Sequence, residues 1–183
     1  MGVIFKSKFV YFQTPRCASN AVQDALLAVS SGNRCAAYHD WTLIGQHMDR
    51  LQLNAAWPGY KTLPGMCIIR NPFDILASHF VNFGSHKSIR SMVKHENHKD
   101  YTHNGLLCYH VPFCKYLIRW EGDMLKQINA VLTEFDCILR LAIPKINVTK
   151  DRKDYREYYT QADIDAVMER FGEEIKLLEY SFE

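Results

Sequence analysis

Two stretches of this chain carry side chains suited to holding an anion. The first is Thr14-Pro15-Arg16-Cys17-Ala18-Ser19-Asn20. An arginine supplies a permanent charge on a rigid fork of N–H donors, and serine and asparagine add neutral donors beside it. The second is Arg70-Asn71-Pro72-Phe73-Asp74-Ile75-Leu76-Ala77-Ser78, in which a serine follows the arginine by eight residues (78 − 70). Neither stretch has the G-x-x-x-x-G-K-[ST] pattern of the nucleoside triphosphatase phosphate loop.

The elements around these stretches must aim them. Phe9-Val10-Tyr11-Phe12-Gln13 is an apolar, aromatic run that predicts a buried strand. Pro15 ends it, and Ser19 then serves as N-cap or first-turn residue of a helix carrying Val22, Ala25, Leu26 and Val29 on one face. The loop thus joins a strand to a helix N-terminus, where unpaired N–H groups and the positive dipole end favour an anion. Met66-Cys67-Ile68-Ile69 predicts a second buried strand, with Arg70 at its end and Pro72 in the first turn of the helix that follows. Ligands of open parallel sheets bind beyond the carboxyl ends of the strands, so both stretches point to one sheet edge. Taken alone, each also reads as ordinary structure. The first is then a βα turn with a capping serine, and the second a strand-end arginine paired with Asp74 and a helical serine bonded to its own backbone.

The rest of the chain continues the alternation. Trp41 to Leu51 predicts a helix, Tyr116 to Trp120 a third strand, Met124 to Phe135 a helix, and Ile164, Val167, Met168 and Phe171 a last one. Residues 84–105 are polar and rich in His and Lys, and read as a long surface excursion. Within it, His95 and His98 have a short spacing but lack the further ligands of a metal set, so no metal is expected. Strands alternating with helices argue for one α/β domain over residues 1–183, in three layers with a central parallel sheet flanked by helices.

Composition narrows the function. A hydrophobic fraction of 48% supports a real core, and a net charge of +2 argues against a general nucleic-acid partner. No apolar run approaches the roughly 20 residues of a membrane span, and Phe9–Phe12 is too short for a signal-peptide core. The six cysteines form no C-x-x-C pair and several sit in apolar runs, which reads as reduced thiols and a cytoplasmic location.

In their order along the chain, the motifs resemble those of the sulfotransferases that use 3′-phosphoadenosine 5′-phosphosulfate (PAPS), most closely the carbohydrate or membrane-type branch. Thr14-Pro15-Arg16-Cys17-Ala18-Ser19 is similar to the family's loop for the 5′-phosphosulfate, P-K-x-x-[ST]-[ST]. Arg70-Asn71-Pro72-Phe73-Asp74 with Ser78 is similar to its 3′-phosphate motif. Ile118-Arg119-Trp120-Glu121, Pro144 to Thr149, Tyr155 to Thr160 and Glu179-Tyr180 extend the likeness over nearly the whole chain.

The resemblance implies a P-loop-like sulfotransferase fold, PAPS as donor with adenosine 3′,5′-bisphosphate (PAP) as product, and a small-molecule or glycan hydroxyl or amine as acceptor. It implies a nucleotide site built from Thr14 to Asn20, Arg70, Ser78, Thr149 and Arg152. Two positions depart from the family: Arg16 stands where lysine is usual, and Asn20 replaces a second hydroxyl. Arg16 can stabilise charge on the leaving phosphate but cannot give up a proton. The base for the acceptor proton is then His39, beside Asp40, whose ordinary pKa near 6.5 suits the task. Glu121 is the second candidate. Two alternatives stand beside it, a PAP- or PAPS-binding module without turnover and, less favoured because the chain offers no strand-end Asp for magnesium, a small-molecule kinase with a degenerate phosphate loop.

Overall fold

A computed structural model describes residues 2–5, 9–14, 16–32, 41–44, 55, 58–84, 86–94, 111–135, 143 and 152–183. It is an α/β structure whose chain divides into two compact units, Met1–Ile69 with Tyr109–Asn147, and Arg70–Cys108 with Val148–Glu183.

The first unit is organised by a five-stranded sheet. In chain order its strands are β1 (Gly2–Phe5), β2 (Phe9–Phe12), β3 (Trp41–Ile44), β4 (Gly65–Ile69) and β5 (Cys114–Arg119), and in space they run β3-β1-β2-β4-β5. β2, β4 and β5 are parallel neighbours, with Phe12 opposite Cys67 and Ile69 opposite Arg119. Every residue of β2 and β4 is buried, as expected of central parallel strands made of continuous apolar residues. β5 alternates between exposed and more buried positions, because it has a strand on one side of it only among the described residues.

Two expectations are corrected here. Trp41 to Ile44 is a strand, not the start of a helix, and Gly2–Phe5 is a strand that the sequence reading passed over. Both runs are short and rich in β-branched or aromatic residues, where periodicity cannot separate strand from helix. β1 runs antiparallel to both β2 and β3, so the sheet is mixed around a three-stranded parallel core.

Helices α1 (Ser19–Gly32) and α4 (Met124–Thr133) belong to the same unit. Asp123 caps α4 by accepting from the Lys126 N–H at 2.9 Å. Beyond α4, the Phe135 ring returns to the sheet and lies 5.2 Å from Phe9 and 6.1 Å from Tyr116. The Gln127 side chain brackets the last residue of β5, donating to Arg119 O and accepting from Arg119 N–H, both at 2.9 Å. A Cβ at Gly122 would lie 2.9 Å from Gln127 Nε2, so this bracket needs glycine there.

The second unit contains α2 (Pro72–Phe83), α3 (Ile89–Lys94) and α5 (Gln161–Leu177), with a 3₁₀ turn at Tyr155–Tyr158. α2 has Asn71 as N-cap, Pro72 in its first turn, and Gly84 at its C-terminal end with φ 51°. α3 modifies the reading of residues 84–105: Ile89, Met92 and Val93 are buried on it. It is held at both ends by α5, since Asp163 accepts from the Arg90 N–H at 2.6 Å and Arg170 donates to Val93 O. Among the described residues no helix is long and apolar enough to cross a membrane.

Candidate functional site

The first anion stretch leaves β2 through two buried polar residues, Gln13 and Thr14. The Gln13 amide donates to Gln23 Oε1 at 2.6 Å, which ties the start of the loop to the second turn of α1. Residues 16–18 form a turn in which Arg16 (φ 60°) and Ala18 (φ 50°) occupy the left-handed region. Each costs an L-residue about 1 kcal/mol or more, so the surroundings must impose this shape. Cys17, fully buried between them, is the anchor.

The Val22 N–H donates to Ala18 O at 3.0 Å, so Ala18 is the N-cap of α1 and Ser19 stands in its first turn. Alanine has no side-chain oxygen to offer the first amides, whereas Asn71, Asp123 and Thr160 perform that service for the other three long helices. Asn20 is exposed in the first turn. Pro15, His39, Thr149 and the side chain of Ser19 lie outside the described residues.

Tyr11, Cys17 and Cys67 are fully buried, and Cys114 beside Cys67 is half-buried. None of these three cysteines is in a disulfide. A hydrogen bond with Cys114, and then burial, push the Cys67 thiol well above its ordinary pKa, while the neighbouring Thr14 hydroxyl acts in the opposite direction. Burial likewise keeps the Tyr11 phenol protonated. Buried and with its pKa raised, the Cys67 thiol is poorly suited to act as a nucleophile. Glu121 stands exposed in the turn after β5.

The second stretch builds a charge cluster inside the second unit. Arg70 Nε donates to Asp74 Oδ2 at 2.5 Å. Arg152 Nη2 donates to the other carboxylate oxygen, Oδ1, and also to Asp74 O at 2.9 Å. The side chains are little exposed, 7% for Arg70 and 18% for both Asp74 and Arg152. Two guanidiniums therefore share one carboxylate in a place largely shielded from solvent. Arg152 Nε is buried and has no hydrogen-bond partner among the described residues. A buried donor without an acceptor is costly, and a bound anion would supply the acceptor. Ser78, buried, follows Asp74 by one helical turn and so lies on the same face of α2.

Residues 155–160 and 181–182 frame that cluster. Asn71 Oδ1 accepts from Phe73 N–H at 3.0 Å, and its Nδ2 donates to Ser181 O at 2.8 Å and Tyr155 OH at 3.3 Å. Tyr159 donates to Phe73 O at 2.7 Å, and burial raises its phenol pKa, so it stays a donor. The Phe182 ring is 5.0 to 5.8 Å from the rings of Phe73, Tyr155 and Tyr159, edge-on to each.

Of the residues singled out from the sequence, Arg70, Ser78 and Arg152 gather around the first turns of α2. The pairing of Arg70 with Asp74, anticipated as ordinary structure, is present as well. The sequence reading missed Phe182, for which a lone aromatic beyond the last helix gives no signal. It also missed Asp163, although Thr160-Gln161-Ala162-Asp163 has capping-box spacing. Among the described residues no three His, Cys, Asp or Glu side chains group as metal ligands. Comparison with protein-family models, curated proteins and solved structures found no match to the chain.

Proposed function

We propose that the chain is a PAPS-dependent sulfotransferase of the P-loop-like type, akin to the carbohydrate or membrane branch. The observation that carries the reading is the Arg70–Asp74–Arg152 cluster. Two arginines that the sequence resemblance places at the nucleotide hold one carboxylate, and Arg152 Nε is a buried donor with no acceptor among the described residues. A 3′-phosphate has the oxygens to supply one.

The sequence resemblance assigns the 5′-phosphosulfate to the turn at Arg16–Ala18. There the helix start has N–H groups to offer the anion, and Arg16 would offset the charge that grows on the bridging oxygen. In the reaction, an acceptor oxygen attacks sulfur in line, the S–O bond to the 5′-phosphate breaks, and PAP leaves. The acceptor proton passes to His39, with Glu121 as second choice.

The test is transfer of labelled sulfonate from PAPS to a panel of glycan and small-molecule hydroxyls and amines. Transfer that His39→Ala reduces by about 10²-fold or more fits the proposed role of a general base. No transfer to any acceptor, with PAP bound tightly, favours the binding module without turnover. Transfer of a phosphoryl group from ATP-Mg would point to the kinase reading.

A further inference from the structure

Around the first turn of α2, three contact chains meet on Phe182. Its ring fills the space among Phe73, Tyr155 and Tyr159. Its carbonyl accepts from Tyr155 OH at 2.8 Å, and Tyr155 OH accepts in turn from Asn71 Nδ2. Asn71 is the N-cap of α2 and Tyr159 is fastened to Phe73 O, so residues 152–160 reach the helix start through aromatic edges and side-chain hydrogen bonds. Among the described residues no backbone ladder joins that segment to α2. Asp154, which opens the 3₁₀ turn, follows Arg152 by two residues (154 − 152). The place of the Arg152 guanidinium is therefore inherited from how Tyr155 and Tyr159 sit.

We propose that Phe182 is a positioning residue: wedged among Phe73, Tyr155 and Tyr159, it seats the 152–160 segment on α2 and so sets Arg152 against Asp74 for a bound phosphate. The phosphate rests on the reading that Arg70 and Arg152 receive an anion, whereas the seating of Arg152 does not. Edge-to-face rings fix orientation as well as area, since the quadrupoles favour one tilt. A leucine fills most of the volume but lacks the ring edge, and a tyrosine keeps it. The site is thus sensitive to a residue that never touches the ligand.

The experiment compares wild type, Phe182→Ala, Phe182→Leu and Phe182→Tyr with two readouts. The first needs no ligand: exchange of the Arg152 Nε–H proton by NMR, assigned with Arg152→Lys. The second is PAP affinity by calorimetry. Phe182→Ala is expected to speed the exchange and to weaken PAP by about tenfold, the scale of one charge-assisted hydrogen bond. Phe182→Tyr restores both, Phe182→Leu does not, and amide exchange in β2 and β4 stays at the wild-type rate in all four proteins. Wild-type values of either readout in Phe182→Ala overturn the proposal, as does faster amide exchange throughout the fold, which would mark a general loss of stability. Should the wild-type protein take up no PAP, the sulfotransferase reading fails on its own account, and the Arg152 signal alone decides whether Phe182 positions it.

Discussion

Asp163 shows how one side chain can join sequence-distant elements. Its carboxylate accepts from the Thr160 hydroxyl at 2.6 Å, the Thr160 N–H at 2.9 Å and the Arg90 N–H at 2.6 Å. Burial alone would raise its pKa, but these bonds from Thr160 and Arg90 outweigh it and hold the carboxyl below its ordinary value. Such a group stabilises the fold fully above the unfolded pKa of about 3.9, and that stability is lost as pH falls through the folded value. Asp163→Asn is therefore expected to cost on the order of 1–2 kcal/mol at pH 7. The gap from wild type should begin to narrow at about pH 4 and close only as pH falls through the lowered folded pKa, as read by urea unfolding across pH. The thiols give a second check. Cys67 is buried with its pKa raised and Cys17 is fully buried, so neither should react with iodoacetamide at pH 7.5 until the protein is unfolded. At this scale the sequence was informative where a residue's chemistry is narrow. Arg70 and Arg152 could be named because few residue types suit a phosphate. Phe182 could not, because an aromatic ring suits any apolar gap.

Elements differ in how far local pattern determines them. β2 and β4 are continuous apolar runs ended by Pro15 and by Asn71-Pro72, and both were legible. β1 and β3 were not, because four-residue strands are selected by their partners: Val3 pairs with Tyr11 on one side and Leu43 on the other. α3 could have been read, since Ile89, Met92 and Val93 stand at i, i+3 and i+4, and Ser88 and Ser91 exchange N–H to hydroxyl bonds at 3.2 and 3.1 Å. Its brevity, amid polar residues, concealed it. The C-terminal end of α2 offers a clean test of backbone cost. Gly84 has φ 51°, and an added Cβ would meet nothing within 4 Å. Gly84→Ala should therefore cost about 1 kcal/mol from the left-handed conformation alone. Gly84→Asn should cost less, as asparagine tolerates that region better, and chemical denaturation of both variants measures the difference.

For the molecule as a whole, sequence alternation conveyed the α/β class and the parallel run β2-β4-β5, but not the order β3-β1-β2-β4-β5 or the antiparallel β1. The β1–β3 and β2–β4 pairings join residues far apart in the chain, which no local window contains, whereas the β1–β2 pairing is local and was missed with β1 itself. Nor did composition announce two compact units, with Arg70 opening the second directly after β4. The parallel pairing does bring the carboxyl ends of β2 and β4 to one edge of the sheet, where the chain leaves β2 through Gln13. The central claim, a nucleotide bearing a 3′-phosphate, is tested most directly by thermal unfolding with PAP, ATP-Mg or buffer, for wild type, Arg70→Ala and Arg152→Ala. PAP at about 100 times its dissociation constant should stabilise the wild type by roughly 2.7 kcal/mol, and each arginine variant should lose most of that gain. Stabilisation by ATP-Mg without PAP, or a PAP shift that survives both substitutions, would contradict the account.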